Sequence, residues 1–159
     1  MANKRLGKLP PRYSFILNQY NTERLSSCPR CKKLTHLRKF AFFIHIDDWG
    51  PMVLGKTCRY CSRCELIMLH QAELEEQLAY NFSQRAPEVV GNKYLVIGTI
   101  EKKVWQEGLQ GNEKPINEML KYLADFKKVL TLHVQPGGWY PVDREKSYKH
   151  NARNVSHDM

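Results

Sequence analysis

CPRCKKLTHLRKFAFFIHIDDWGPMVLGKTCRYCSRC, residues 28–64, holds all five cysteines of this 159-residue chain. They fall in two short clusters, Cys28-Pro29-Arg30-Cys31 and Cys58-Arg59-Tyr60-Cys61-Ser62-Arg63-Cys64. Two Cys-x-x-Cys pairs about thirty residues apart can close a tetrahedral thiolate site around one metal ion. Each pair supplies two ligands from one tight turn, and the chain between them folds back to bring the turns together.

Five thiols compete for four positions. Cys28 and Cys31 have no rivals, whereas the second pair is either Cys58/Cys61 or Cys61/Cys64. CPRCKKL and CSRCELI read as two copies of one turn, which favours Cys61 and Cys64. Cys58 is then the spare, on the strand leading into the turn, where a free cysteine is commonly a small buried side chain.

Between the clusters, Phe40, Phe42, Ile44 and Ile46 alternate with Lys39, Ala41, Phe43, His45 and Asp47. That period of two marks a strand with a strongly apolar face. Asp47-Asp48-Trp49-Gly50-Pro51 reads as a turn, and Met52-Val53-Leu54 resumes a strand. In this order of turn, hairpin and turn, residues 25–66 resemble zinc-ribbon proteins. The resemblance implies a structural zinc, one per chain, held by Cys28, Cys31, Cys61 and Cys64. Ribbons usually carry Gly after the second Cys of each turn, where this chain has Lys32 and Glu65. Because ribbons serve transcription factors, ribosomal proteins, enzymes and adaptors alike, the resemblance carries no single function.

Gly50-Pro51-Met52-Val53-Leu54-Gly55-Lys56-Thr57 also fits the phosphate-binding pattern G-x-x-x-x-G-K-[ST]. On that minor reading Gly55, Lys56 and Thr57 bind a nucleotide and the protein hydrolyses it. The stiff apolar loop and the demand for a helix through Cys58 and Cys61 weigh against it.

Charge is unevenly spread. The net +9 matches the first forty residues, which hold ten Lys/Arg against Glu23 alone. A basic arm running into a metal-binding turn is an electrostatic footprint for RNA or DNA. Arg12, Arg24, Arg30, Lys32, Lys33, Arg38 and Lys39 are the candidate contacts, with Tyr13, Phe15 and Tyr20 available for stacking. The plainer role for Arg30, Lys32 and Lys33 is to offset the charge of four thiolates around a divalent ion.

The remaining expectations concern organisation. Residues from Glu65 to about Tyr80 read as a helix with Ile67, Leu74 and Leu78 on one face. Glu88-Val89-Val90 and Tyr94 to Ile100 read as a hairpin around Gly91-Asn92. Pro115 opens a helix carrying Ile116, Met119, Leu120, Leu123, Phe126 and Leu130. The expected class is α+β: a zinc-ribbon hairpin, a helix, then a small hairpin and helix body. The expected segments are a basic arm (1–24), ribbon plus helix (25–82), small body (88–141) and disordered tail (142–159).

Phe15-Ile16-Leu17 is too short an apolar run for a signal peptide, and no stretch is long enough to span a membrane. An odd cysteine count without a secretion signal points to a reducing cytoplasm. His-x-Glu with Pro-Cys-x-x-Cys, and His-Glu-x-x-His, are both absent. A four-thiolate site leaves no open metal position, so the expected function is non-catalytic nucleic-acid contact. The alternative is a protein interaction module that docks through the 115–130 helix or a loop at Trp139.

Overall fold

The computed structural model describes residues 5–20, 24–111, 115–135 and 138–143. Its centre is an eight-stranded mixed sheet. The strands are β1 (Ser14–Asn18), β2 (His36–Ile46), β3 (Gly50–Cys61), β4 (Leu66–His70), β5 (Tyr94–Ile100), β6 (Leu123–Asp125), β7 (Lys128–Gln135) and β8 (Gly138–Asp143). Three helices join them: α1 (Gln71–Ser83), α2 (Lys102–Leu109) and α3 (Ile116–Met119). The segments read as arm, ribbon and small body all contribute strands to this one sheet.

Strand order is β6-β5-β2-β3-β4-β1-β7-β8. β6 and β7 are separated by only two residues, and those residues form the seam. The Phe126 N–H donates to the Ile97 carbonyl of β5 at 3.1 Å, and the Lys127 N–H to the Tyr13 carbonyl beside β1 at 2.8 Å. One continuous stretch thus pairs antiparallel with β5 at its start and parallel with β1 further on. The sheet curls so that β5 and β1 flank this one stretch, as in a small barrel.

Closure gives every strand an inside and an outside. Phe15, Phe42, Ile44, Ile67, Leu69 and Val96 point into one core, sealed at one end by Leu74, Leu78 and Phe82 of α1. Burying each such side chain contributes about 1.5–3 kcal/mol. On the outside, Ala41, Phe43 and Ile100 pack under Val104 and Trp105 of α2. On another outer face, Ile16, Leu66, Met68, Leu130 and Leu132 pack with Leu25, Cys28 and Cys61. β2 is therefore apolar on both faces rather than one.

Four expectations differ from the observed elements. Residues 66–70 form β4 rather than the start of a helix, because Leu66 to Leu69 are buried on both sides and an extended chain satisfies both cores. Residues 88–90 do not pair with β5. They lie in and after a short 3₁₀ turn (Pro87–Val89), while β5 pairs with β2 and β6. The helix expected over 115–130 stops at Met119. Its apolar stripe is shared among three cores, with Leu123, Phe126 and Leu130 in one each. Pairing with β5 and β1 overrides the helical period there. The expected docking helix does not exist as one unit. The expected loop at Trp139 and the first two residues of the expected disordered tail (142–159) instead form β8 against β7; the Trp139 side chain and residues 144–159 lie outside the described residues. Among the described residues no helix is long and apolar enough to cross a membrane.

The seam allows a direct test. A Cβ on Gly98 would collide with the Ala124 carbonyl of β6, so this glycine permits the close approach that completes the curl. Gly98→Val is expected to lower stability by about 1–3 kcal/mol, read as an earlier midpoint in urea denaturation. An unchanged midpoint would mean that β6 does not lie against β5.

Candidate functional site

The two cysteine turns sit at the feet of the β2–β3 hairpin. The first precedes β2. The Cys28 carbonyl accepts from the Lys32 N–H, and the Cys28 N–H donates to the Lys33 carbonyl, both at 2.8 Å. The second links β3 to β4. Lys32 and Glu65, each following the second cysteine of its turn, have φ of +68° and +51°. These are the left-handed positions where ribbons usually carry Gly, here adopted by side-chain-bearing residues at a cost of about 1–2 kcal/mol each. Both side chains have partners. Lys32 Nζ donates to the Pro29 carbonyl at 3.3 Å, and Glu65 pairs with Arg12 at 3.4 Å.

Cys28, Cys31, Cys61 and Cys64 bring their sulfurs within 4.8 Å of one another. Cys28 and Cys64 lie 3.9 Å apart and Cys31 and Cys61 3.5 Å, with none joined in a disulfide. Such a group could hold a metal ion. Cys28 and Cys61 are buried against the outer core, while Cys31 and Cys64 are half-buried. The Arg30 N–H points at Cys28 Sγ from 3.4 Å. Cys58 faces the other way. It is buried inside the curled sheet, 3.7 Å from the Arg38 carbonyl, and burial pushes its thiol up to about 12.

The cluster's own protons also bear on metal chemistry. The Lys33 backbone N–H holds the Cys31 thiol down at about 7, while burial raises Cys28 and pushes Cys64 up to about 12. Without a cation these thiols cannot all ionise side by side, so binding a metal must expel protons.

The phosphate-loop reading fails on structure. Gly50 to Thr57 are extended within β3 and paired with β2, Lys39 facing Thr57 and Ala41 facing Gly55. No loop is left whose amides could cradle phosphate. Gly55 has a different reason to be glycine, since a Cβ there would strike the Trp105 ring. Lys56 donates to Glu73 of α1 at 2.9 Å, and Thr57 is exposed on the strand.

The basic candidates divide. Arg30, Lys32 and Lys33 are exposed on the first cysteine turn. Arg24 lines a separate hollow with Leu37, Arg59 and Glu73. Arg12, Arg38 and Lys39 line a groove of about 520 Å³ together with Lys102, Lys103 and Lys127. Two arginines and one lysine of this set stack on rings: Arg12 on Tyr13 at 4.6 Å, Arg38 on Phe40 at 4.7 Å, and Lys39 on Trp105 at 5.2 Å. Tyr13, Phe40 and Tyr60 meet edge to face behind them, with centroids 5.3–5.7 Å apart. Phe15 is an interior residue stacked on Phe126, which removes it as a base platform.

Lys102 and Lys103 lie in a stretch of balanced charge and Lys127 far along the chain from the basic N-terminal quarter, so sequence alone did not group them with it. The available signal was the Lys102-Lys103 doublet before Val104-Trp105. The segment that leads into the groove wall at residues 9–13 is also not a loose arm. Leu6 and Gly7 N–H groups donate to the Asp125 carboxylate at 2.9 and 2.6 Å, and the Arg12 N–H to the Asp125 carbonyl at 2.9 Å.

Comparison offers no shortcut. No family model, curated protein or solved structure matches the chain.

Two outcomes are expected for the cysteine cluster. By elemental analysis of protein purified under reducing conditions, Cys58→Ser keeps about one metal ion per chain, while Cys64→Ser loses it. The opposite pattern would assign Cys58 to the site. The second outcome concerns acidity. Protons compete for the same sulfurs, so apparent metal affinity should fall as pH falls, by tenfold or more per unit wherever one or more protons are displaced. A chelator competition between pH 8 and pH 6 that gave a flat affinity would exclude thiolate coordination.

Proposed function

We propose that this chain is a non-catalytic protein with a structural zinc site that contacts nucleic acid through its basic surface. Zinc is the favoured metal on geometric grounds. Four Zn–S bonds of about 2.3 Å in a tetrahedron set the sulfurs roughly 3.8 Å apart, and the cluster has pairs at 3.5 and 3.9 Å. A four-thiolate shell fills the coordination sphere, so its role is to hold β2–β3 and the chain around residue 25 in place. In small sites this supplies on the order of 10 kcal/mol. Knuckles at either end of the hairpin support the zinc-ribbon reading, with the hairpin extended into a larger sheet.

The observation that carries the nucleic-acid reading is a cluster of cations without counter-charges. Among the described residues, Arg38, Lys39, Lys102, Lys103 and Lys127 have no carboxylate within ion-pair distance. Arg12 has one partner, Glu65, in an exposed pair worth little. Like charges gathered this way repel, and a polyanion relieves that repulsion.

Binding of fluorescent RNA and DNA oligonucleotides by the zinc-loaded protein is expected to weaken steeply with salt. Four phosphate contacts on a single strand give a log–log slope near −2.8, or about a 50-fold loss between 50 and 200 mM salt. No binding to either nucleic acid at 50 mM salt would remove this reading.

A further inference from the structure

The groove is shaped for more than phosphate contact. Its rim carries Arg12, Arg38, Lys39, Lys102, Lys103 and Lys127 against one carboxylate, Glu101. Its floor is apolar, formed by Leu9, Phe40, Ile100 and Ala124. A volume of about 520 Å³ lies in the range of small-molecule sites, roughly 300–1,000 Å³. A duplex keeps its bases stacked inside and offers such a hollow only phosphates. A single strand can turn a base into it and leave the flanking phosphates on the rim.

The start of α2 points the same way. Lys102 and Lys103 occupy its first turn, which holds no acidic residue, and Glu101 at the N-cap makes no side-chain capping bond. Cations at a helix N-terminus oppose the helix dipole, typically by about 0.3–1 kcal/mol each. Their placement at the groove's edge is unfavourable for the helix alone and favourable once an anion sits there. The stacked Arg12, Arg38 and Lys39 side chains form the facing rim, held over rings rather than free in solvent.

We infer that this groove, between residues 9–13, the middle of β2 and the β5–α2 junction, binds single-stranded nucleic acid, with a base turned into its apolar hollow and flanking phosphates on the six rim cations. The inference rests on the nucleic-acid reading above and assigns it a place, a strand form and new contact residues.

The test is fluorescence anisotropy with the zinc-loaded full chain at 50 mM salt. The probes are labelled uridylate and thymidylate decamers, a duplex of equal length, and inorganic polyphosphate as competitor. Single strands should bind at least tenfold more tightly than the duplex, and polyphosphate should compete at least tenfold less well than an unlabelled decamer. The triple variant K102E/K103E/K127E should lose at least tenfold in decamer affinity. R30E/K33E, on the cysteine turn, should lose less than threefold. All five substituted residues are exposed, so circular dichroism should match the parent and certify folding, and affinities are compared at equal zinc content. If R30E/K33E abolishes binding and the triple variant does not, the groove assignment falls while nucleic-acid binding stands. Equal binding of duplex or polyphosphate overturns base insertion in the same way. Absence of binding to every probe overturns both.

Discussion

Closure of the sheet on itself is the constraint on which the rest of this molecule depends. A single stretch from Leu123 to Gln135 must serve β5 with its first residues and β1 with the next ones. That is possible only if the backbones come very close, which Gly98 permits at one crossing and Gly7 at another, where a Cβ would meet the Leu123 carbonyl. Once closed, the sheet keeps an inner core built from β1 to β5 and sealed by α1. The outer faces must then be covered separately, by α2 and α3 on one side and the cysteine turns on another. The cysteine cluster is in this sense a lid over Ile16, Leu66 and Met68, and a metal ion held there would also clamp the β2–β3 hairpin.

Both roles explain why the knuckles can carry Lys32 and Glu65 where glycine would be less strained. Removing either side chain would relieve the left-handed backbone and lose a tether. Lys32 closes its own turn, and Glu65 reaches Arg12 while its carbonyl accepts from the Ser14 N–H at 2.9 Å. The second knuckle is thereby attached to the entry of β1, the strand inserted between β4 and β7.

Features encoded locally were legible in the sequence. The convergence of four cysteines and the exclusion of Cys58 followed from the repeated turn, and the β2–β3 hairpin from its alternation and turn residues. What escaped was set by distant partners. Leu66 to Leu69 gave no alternation because two cores claim them, and the continuous apolar run merged with the helix after it. The stripe from Ile116 to Leu130 has a true helical period, yet strand pairing decides its latter half. The phosphate-loop match at Gly50 to Thr57 shows the converse: a local pattern can be complete while the backbone that gives it meaning is a strand. The groove was half legible. Arg12, Arg38 and Lys39 stood out in a basic quarter, whereas Lys102, Lys103 and Lys127 join them only through folding.

The Arg12–Glu65 contact brings a groove cation to the residue that directly follows Cys64 of the cysteine cluster. Arg38 is tied to the same corner, lying 5.0 Å over the Tyr60 ring beside Cys61. Coupling of this kind is reciprocal by thermodynamic necessity. If the ion stiffens the corner that presents Arg12 and Arg38, then any anion seated on those arginines must tighten binding of the ion by the same free energy. On that condition metal occupancy and ligand occupancy would be two readings of one equilibrium, and the supply of the first would set the working affinity for the second.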